Sequence, residues 1–206
     1  IWIELPGLVT PRKWKWIAKR GLPFTQPLLG QKYRKKWRST GNVMESFVPN
    51  SDNARAYRSA LGQFGTGVTV VTTNSDWGRI GITANSFSSV SLDPPLILWS
   101  VAKGSKRYPP FSESEHFAIH VLGAEQADIC NGFAGKADAF DGLDCSENAQ
   151  GVPLINNCLA RFECRKSAVH DAGDHAIMVG EVLNVTLRTG APLLFHSGKF
   201  GEFSAN

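Results

Sequence analysis

The sequence predicts a mainly β domain, an antiparallel barrel closed or partly closed and flanked by a few helices. Three observations carry this expectation. Short runs of alternating or continuously apolar residues recur from Val68 to His196. Turn signals built from Gly, Pro, Asn and Asp separate them at short intervals. Only two stretches, 51–61 and 125–133, carry helical periodicity.

Taken in order, Ser51-Asp52-Asn53 can cap a short helix reaching about Leu61, with Tyr57 and Leu61 on one face and Phe64 continuing it. Gly65 and Gly67 end it. Val68–Thr73 reads as a strand, 74–78 as a hairpin turn, and a second strand runs into Thr83. Phe87–Leu92 and Leu96–Ala102 are strands divided by Asp93-Pro94-Pro95. Residues 105–111 read as a turn or short helix, and 117–122 as a buried strand. In 125–133, Ile129 and Phe133 stand at i, i+4. Residues 135–155 show little periodicity and read as a long polar loop. Two long strands follow, 158–169 and 175–188, joined through 171–174, with Ile177, Val179 and Val182 as the apolar positions of the second. The chain closes with 193–196 and Ser197-Gly198-Lys199-Phe200-Gly201.

A chain of 206 residues with 42% hydrophobic content holds one domain with a real core. No run of 18 apolar residues exists, which excludes a membrane-spanning helix. The first residues carry charge and proline where a secretory signal needs an apolar core. Charge is divided sharply. Residues 1–43 hold ten Lys or Arg against Glu4 alone, a net +9, together with four of the six Trp; residues 44–206 hold 12 basic and 17 acidic groups, a net −5. Cations interleaved with aromatics, as in 12–20 and 32–38, could contact phosphates or lipid headgroups. Against that, Pro6, Pro11, Pro23 and Pro27 cut the head into pieces too short for a stable helix. Position 1 is not Met, whereas Met44 stands just before the domain. Residues 1–43 are therefore expected to be an appended, mis-called or truncated leader outside the fold, and 44–206 the functional domain, with no nucleic-acid or membrane partner. Cys130, Cys145, Cys158 and Cys164 form no Cys-x-x-Cys pair and read as unpaired thiols of a reducing cytoplasm.

The segment 81–107 is the richest in chemistry. Thr83, Asn85, Ser86, Ser88 and Ser100 give one short stretch many hydrogen-bonding groups, as a flat heteroaromatic ligand with polar edges would need. Ser105, Lys106 and Arg107 could meet a phosphate, although from the residues alone a solvated basic turn is the preferred reading. His170-Asp171 and Asp174-His175 contain metal-ligand types, but no third ligand stands nearby, and turn hydrogen bonds account for them. His116, His120 and His196 read as strand or surface histidines, and Phe133 as core.

Residues Arg58–Thr73 (RSALGQFGTGVTVVTT), Thr83–Pro95 and Gly173-Asp174-His175 together resemble the flavin reductase family, the reductase components of two-component flavin monooxygenases. The likeness is greatest to reductases serving aromatic-ring and steroid-ring hydroxylases, and it spans about residues 52–203. The resemblance implies an FMN-binding split barrel that dimerises, with FMN or FAD near the subunit interface and NADH or NADPH as hydride donor. It also implies a separate oxygenase component, reached by diffusing reduced flavin. Carried over by position, Arg79, Gly81, Thr83, Ala84, Asn85 and Ser86 line the flavin ring, Ser100, Val101 and Ala102 the ribityl chain, Lys106 and Arg107 the phosphate, with Phe133 nearby. His175, Ser197, Gly198 and Phe200 approach the nicotinamide, His175 as the catalytic-site residue. Many relatives place Ser or Thr at the position of Arg107 and Tyr at that of Phe200.

Hydride transfer between two stacked rings needs contact, orientation and stabilisation of a reduced ring rather than a nucleophile. That fits a chain with no triad and no paired catalytic carboxylates. Two other classes remain at this stage: a flavin-binding electron carrier or sensor without reductase turnover, and a split-barrel oxidase of the pyridoxine-phosphate type, which would call for more Arg and Lys around its phosphate.

Overall fold

The computed structural model describes residues 46–204. The chain divides into two units, Ile1–Ser51 and Asp52–Asn206, and the second carries every element described here. The proposed leader, 1–43, and its boundary at Met44 lie outside the described residues.

Helix α1 (Ala54–Leu61) precedes β1 (Thr66–Gly67). Strands β2 (Thr69–Ser75), β3 (Gly78–Ala84), β4 (Ser88–Leu92) and β5 (Pro95–Ala102) follow. Then come α2 (Tyr108–Glu113), β6 (His116–Val121), a 3₁₀ turn at Ala124–Gln126 and α3 (Ala127–Gly135). The chain continues through β7 (Cys145–Glu147), β8 (Pro153–Ile155), β9 (Ala160–Ala172) and β10 (His175–Leu187), and closes with β11 (Leu194–His196) and β12 (Lys199–Gly201). Seven strands form one antiparallel sheet in the order β3-β2-β6-β9-β10-β5-β4, beside a β1-β11-β12 sheet and a β7-β8 pair.

That order compels closure. β3 and β4 are the two outer strands, yet residues 85–87 alone join them. Laid flat, seven strands would hold their outer members about 29 Å apart, whereas the link from Ala84 to Ser88 reaches about 14 Å. The sheet must roll until its edges meet. No ladder joins β3 to β4, so the barrel is split there. Just before β4, the Ser86 hydroxyl continues the β4-β5 pairing, accepting from the Ser100 N–H (2.9 Å) and donating to the Ser100 carbonyl (3.1 Å).

Two apolar clusters fill the interior. Trp99 is fully buried at the centre of one, with Phe111 packed edge-on at 4.9 Å and Phe117 at 6.1 Å. The other lies under α3 and contains Val70, Leu122, Cys130, Phe133 and Ile155.

Two expectations require correction. On β10 the buried positions are Ala176, Met178 and Gly180, not Ile177 and Val179. The reason is space: a Cβ at Gly180 would lie 2.5 Å from the Phe117 ring, so the inward face takes small residues there. Register shifts at Val179/Gly180 and Val182/Asn184 then let Val182 pack against the core. Within 135–155, read as loop, β7 and β8 pair; β8 is wholly buried, and the Thr72 hydroxyl donates to the Pro153 carbonyl at 2.5 Å. Among the described residues no helix is long and apolar enough to cross a membrane.

His120 ties these layers together. Its ring is fully buried; Nδ1 stands 3.0 Å from the Val70 carbonyl, and Nε2 accepts from the Ile155 N–H at 3.0 Å. Those partners require the neutral Nδ1–H tautomer, and burial pushes the pKa down to about 4. Because the unfolded chain takes up this proton first, the stabilisation is complete above about pH 6.5 and is lost as pH falls toward 4. Denaturant unfolding at pH 7.5 and pH 5 is expected to show a loss of about 2 kcal/mol from this group, and His120→Gln, though less stable at pH 7.5, is expected to flatten that dependence.

Candidate functional site

The end of β3 meets the β11-β12 hairpin over the face of α3. Thr83, Ala84 and Asn85 from β3 and the following link, Cys130, Asn131 and Ala134 from α3, and Phe195 and Phe200 from the hairpin line a cavity of about 200 Å³ together with Val68. The Thr83 hydroxyl donates to the Cys130 carbonyl at 2.6 Å, fixing strand against helix and leaving the oxygen's lone pairs for another donor. Asn85 is exposed and its amide bonds to no other described residue. Burial raises the Cys130 thiol pKa, so the cavity floor is a neutral thiol. A wider concavity of about 490 Å³ adjoins, lined by Leu194, His196, Ser197, Lys199, Phe200, Gly201 and Glu202. Phe200 is the wall common to both. It opposes Phe195 across the hairpin, with ring centroids 5.6 Å apart.

A second group of the expected residues gathers at the end of β5. Register places Ala102 opposite His175, Val101 opposite Ala176 and Ser100 opposite Ile177. His175 opens β10 with its side chain 45% exposed, and Nδ1 is 2.7 Å from Asp174 Oδ1, an interaction that holds the Asp174 carboxyl below its ordinary pKa. Lys103 fixes this turn: its N–H donates to the Asp174 carbonyl (2.9 Å), and its ammonium bonds the Gly173 carbonyl (2.7 Å) and the Asp171 carboxylate. Among the described residues no group of three or more His, Cys, Asp or Glu side chains converges as metal ligands.

Of the two basic candidates, Lys106 is exposed and Arg107 half-buried. The Arg107 N–H donates to Ser105 Oγ at 3.2 Å, and burial lowers the guanidinium pKa. No described carboxylate pairs with it. Arg107 is thus the more built-in of the two, held by its neighbours where Lys106 stands in solvent.

Four expected contacts are otherwise engaged. A Cβ on Gly81 would meet the Phe133 ring at 2.4 Å, and the Gly81 N–H donates to the Ala137 carbonyl at 2.7 Å, so this glycine admits the helix rather than a ligand. Phe133 is fully buried against Phe140 and offers no free face. The Arg79 guanidinium lies 4.6 Å from the centroid of the Phe140 ring and 3.9 Å from Glu147, pinning the segment after α3. The Val101 side chain is core, leaving only its backbone. Conversely, sequence reasoning missed Cys130, Asn131 and Ala134. Small residues at i, i+4 (Cys130, Ala134) beside a polar one were the available signal for a helix face approached closely.

Residues 61–204 match the family described as flavin reductase like domain. The chain belongs to the flavin reductase family. Similar members include the FMN reductase (NADH) SmoA of Agrobacterium fabrum, 59% identical over 158 residues, covering 77% of this chain and 91% of that protein. The reductase subunit HsaB of a flavin-dependent monooxygenase from Rhodococcus jostii is 38% identical, covering 71% and 76%. Among solved flavin reductases, the NADH:FAD oxidoreductase SgcE6 of Streptomyces globisporus superposes with a TM-score of 0.73 at 35% identity, covering 80% of this chain and 96% of that one.

Arg107 generates a prediction. Arg107→Ala is expected to weaken FMN binding roughly tenfold or more, the scale of a charge-assisted hydrogen bond, while Lys106→Ala, exposed, is expected to change it less than about threefold. Flavin fluorescence titration of both variants measures the difference.

Proposed function

We propose that this flavin reductase oxidises NADH or NADPH, reduces FMN or FAD and releases the reduced flavin to a separate oxygenase acting on an aromatic or steroid-type substrate. The observation that carries this reading is the shared Phe200 wall. It brings Thr83, Ala84 and Asn85, the ring-edge residues, against the hairpin that the family likeness assigns to the nicotinamide. Relatives support the two-component arrangement: one is named as a monooxygenase reductase subunit, and SgcE6 has been solved in complex with NAD and FAD fragments.

The residues present fit a flavin. Asn85 offers an unpartnered amide to a ring edge, and Arg107 offers a cation without an anion. Bound flavin supplies the hydride acceptor. The chain's own work is to orient and to exclude water. Thr83 and Asn85 hold a ring edge, the Ser86–Ser100 contact fixes the link against β5, and Arg107 neutralises a phosphate. Asp174 accepts from His175 Nδ1–H, which leaves Nε2 to accept from a carboxamide N–H.

Two further parts belong to the proposal. The protein is a homodimer. Tyr57, Leu61 and Phe64 near α1, and Leu183, Val185 and Leu187 on the far half of β10, are exposed apolar side chains that a second copy would cover. Its place is the cytoplasm, and the domain from Met44 onward suffices for activity.

NADH or NADPH oxidation, followed by loss of nicotinamide absorbance, is expected to require added or bound flavin; turnover indifferent to flavin, or none, overturns the reading. A chain beginning at Met44 is expected to turn over as the full chain does. His175→Ala is expected to raise the nicotinamide KM or slow flavin reduction with flavin affinity nearly unchanged, whereas Asn85→Ala weakens flavin binding by roughly 1 kcal/mol. Flavin titration and single-turnover reduction separate the two.

A further inference from the structure

The turn of the β11-β12 hairpin is fastened to the end of α1. Ser197 and Gly198, both at positive φ (48° and 80°), form the two-residue turn between His196 and Lys199. The Ser197 N–H donates to the Gly62 carbonyl at 2.9 Å, and the Gln63 amide donates to the Ser197 hydroxyl at 3.1 Å. At its other end the hairpin is held through two residue pairs, Thr66 with Phe195 and Gly67 with Leu194. β12 is exposed throughout and forms the outer edge of its sheet. Little else restrains the hairpin tip, yet Phe200, three residues past Ser197, walls both concavities. The Ser197 side chain is thus committed to α1 rather than directed at a ligand.

We propose that Gln63 is a positioning residue for the hydride donor: by holding Ser197, it sets the place of the Phe200 wall and with it the affinity for the nicotinamide. The proposal rests on the reading of this hairpin as the nicotinamide contact. It is tested on the full chain at saturating flavin, with the better of NADH and NADPH varied. Gln63→Met removes the donor at nearly constant length and is expected to raise the KM about fivefold, with kcat within about twofold, the scale of one modest hydrogen bond. Gln63→Glu lets the Ser197 hydroxyl donate instead and is expected to stay within about twofold of the unaltered chain. Ser197→Ala also removes the longer Ser197 Oγ contact to the Gly62 carbonyl (3.4 Å), so it should raise the KM at least as much as Gln63→Met. Adding Gln63→Met to Ser197→Ala should change the KM by less than about twofold, because the bond between the two side chains is already gone. Gln63 is exposed, and thermal unfolding of each variant confirms an intact fold. An unchanged KM in Gln63→Met overturns the proposal. So does a double variant whose effects multiply, which would mean that Gln63 does not act through Ser197. Failure of the functional reading itself is distinguishable, since it appears in the unaltered chain as absent flavin-dependent turnover.

Discussion

A three-residue link between the outer strands of a seven-stranded sheet is the constraint on which the rest of this structure depends. Once β3 must hand over to β4 across residues 85–87, the sheet has to curl, and the link is left at the seam. The seam is where ladder hydrogen bonds are missing, so polar side chains there have work to do. Ser86 gives its hydroxyl to the Ser100 backbone and extends the β4-β5 pairing into the link. Asn85, one residue earlier, has no such duty and stays available. The strand ends that converge beside the seam are those carrying Thr83, Ser100 and Ala102, and β5 in turn is paired with the strand that begins at His175. The site is a by-product of how the barrel closes.

Helix α3 decides which residues of β3 are covered by protein and which reach the cavity. It covers the outward-pointing side of β3, so Gly81 gives way to Phe133 and Thr83 binds the Cys130 carbonyl. Arg79 on the same side is drawn into contact with Phe140 and Glu147. Only the last residues of β3 emerge from under the helix, and these reach the cavity. A strand can therefore carry a family motif while half of it serves packing.

The strands, most turns and the seam residues were legible in the sequence because alternation, Gly and Pro report local geometry directly. Less legible was whatever depends on partners distant in the chain. The inward face of β10 could not be read from its own pattern, because the larger Ile177 and Val179 outrank Ala176 and Gly180 on hydrophobicity; the Phe117 ring over Gly180 reverses the choice. The β7-β8 pair hid inside a polar stretch because only three residues of β8 are buried. Thr83 and Asn85 were readable as site residues, and they reach the cavity. Phe133 and Arg79, carried over by position outside the quoted motifs, are instead packed against Phe140, Arg79 also facing Glu147, and Lys103, silent in the sequence, anchors the turn that bears His175.

The environment of the cysteines has a bearing on how such an enzyme endures its own product. Free reduced flavin reacts with oxygen to give oxidised flavin and hydrogen peroxide, and peroxide attacks thiolates far faster than thiols. All four cysteines are unpaired. Burial raises the pKa of each, to about 12 for Cys164, and Cys130 is no exception although it floors the cavity. At neutral pH every one is held in its protonated, slow-reacting form. The packing that closes the barrel thereby also shields its sulfur from the oxidant that escaping reduced flavin generates.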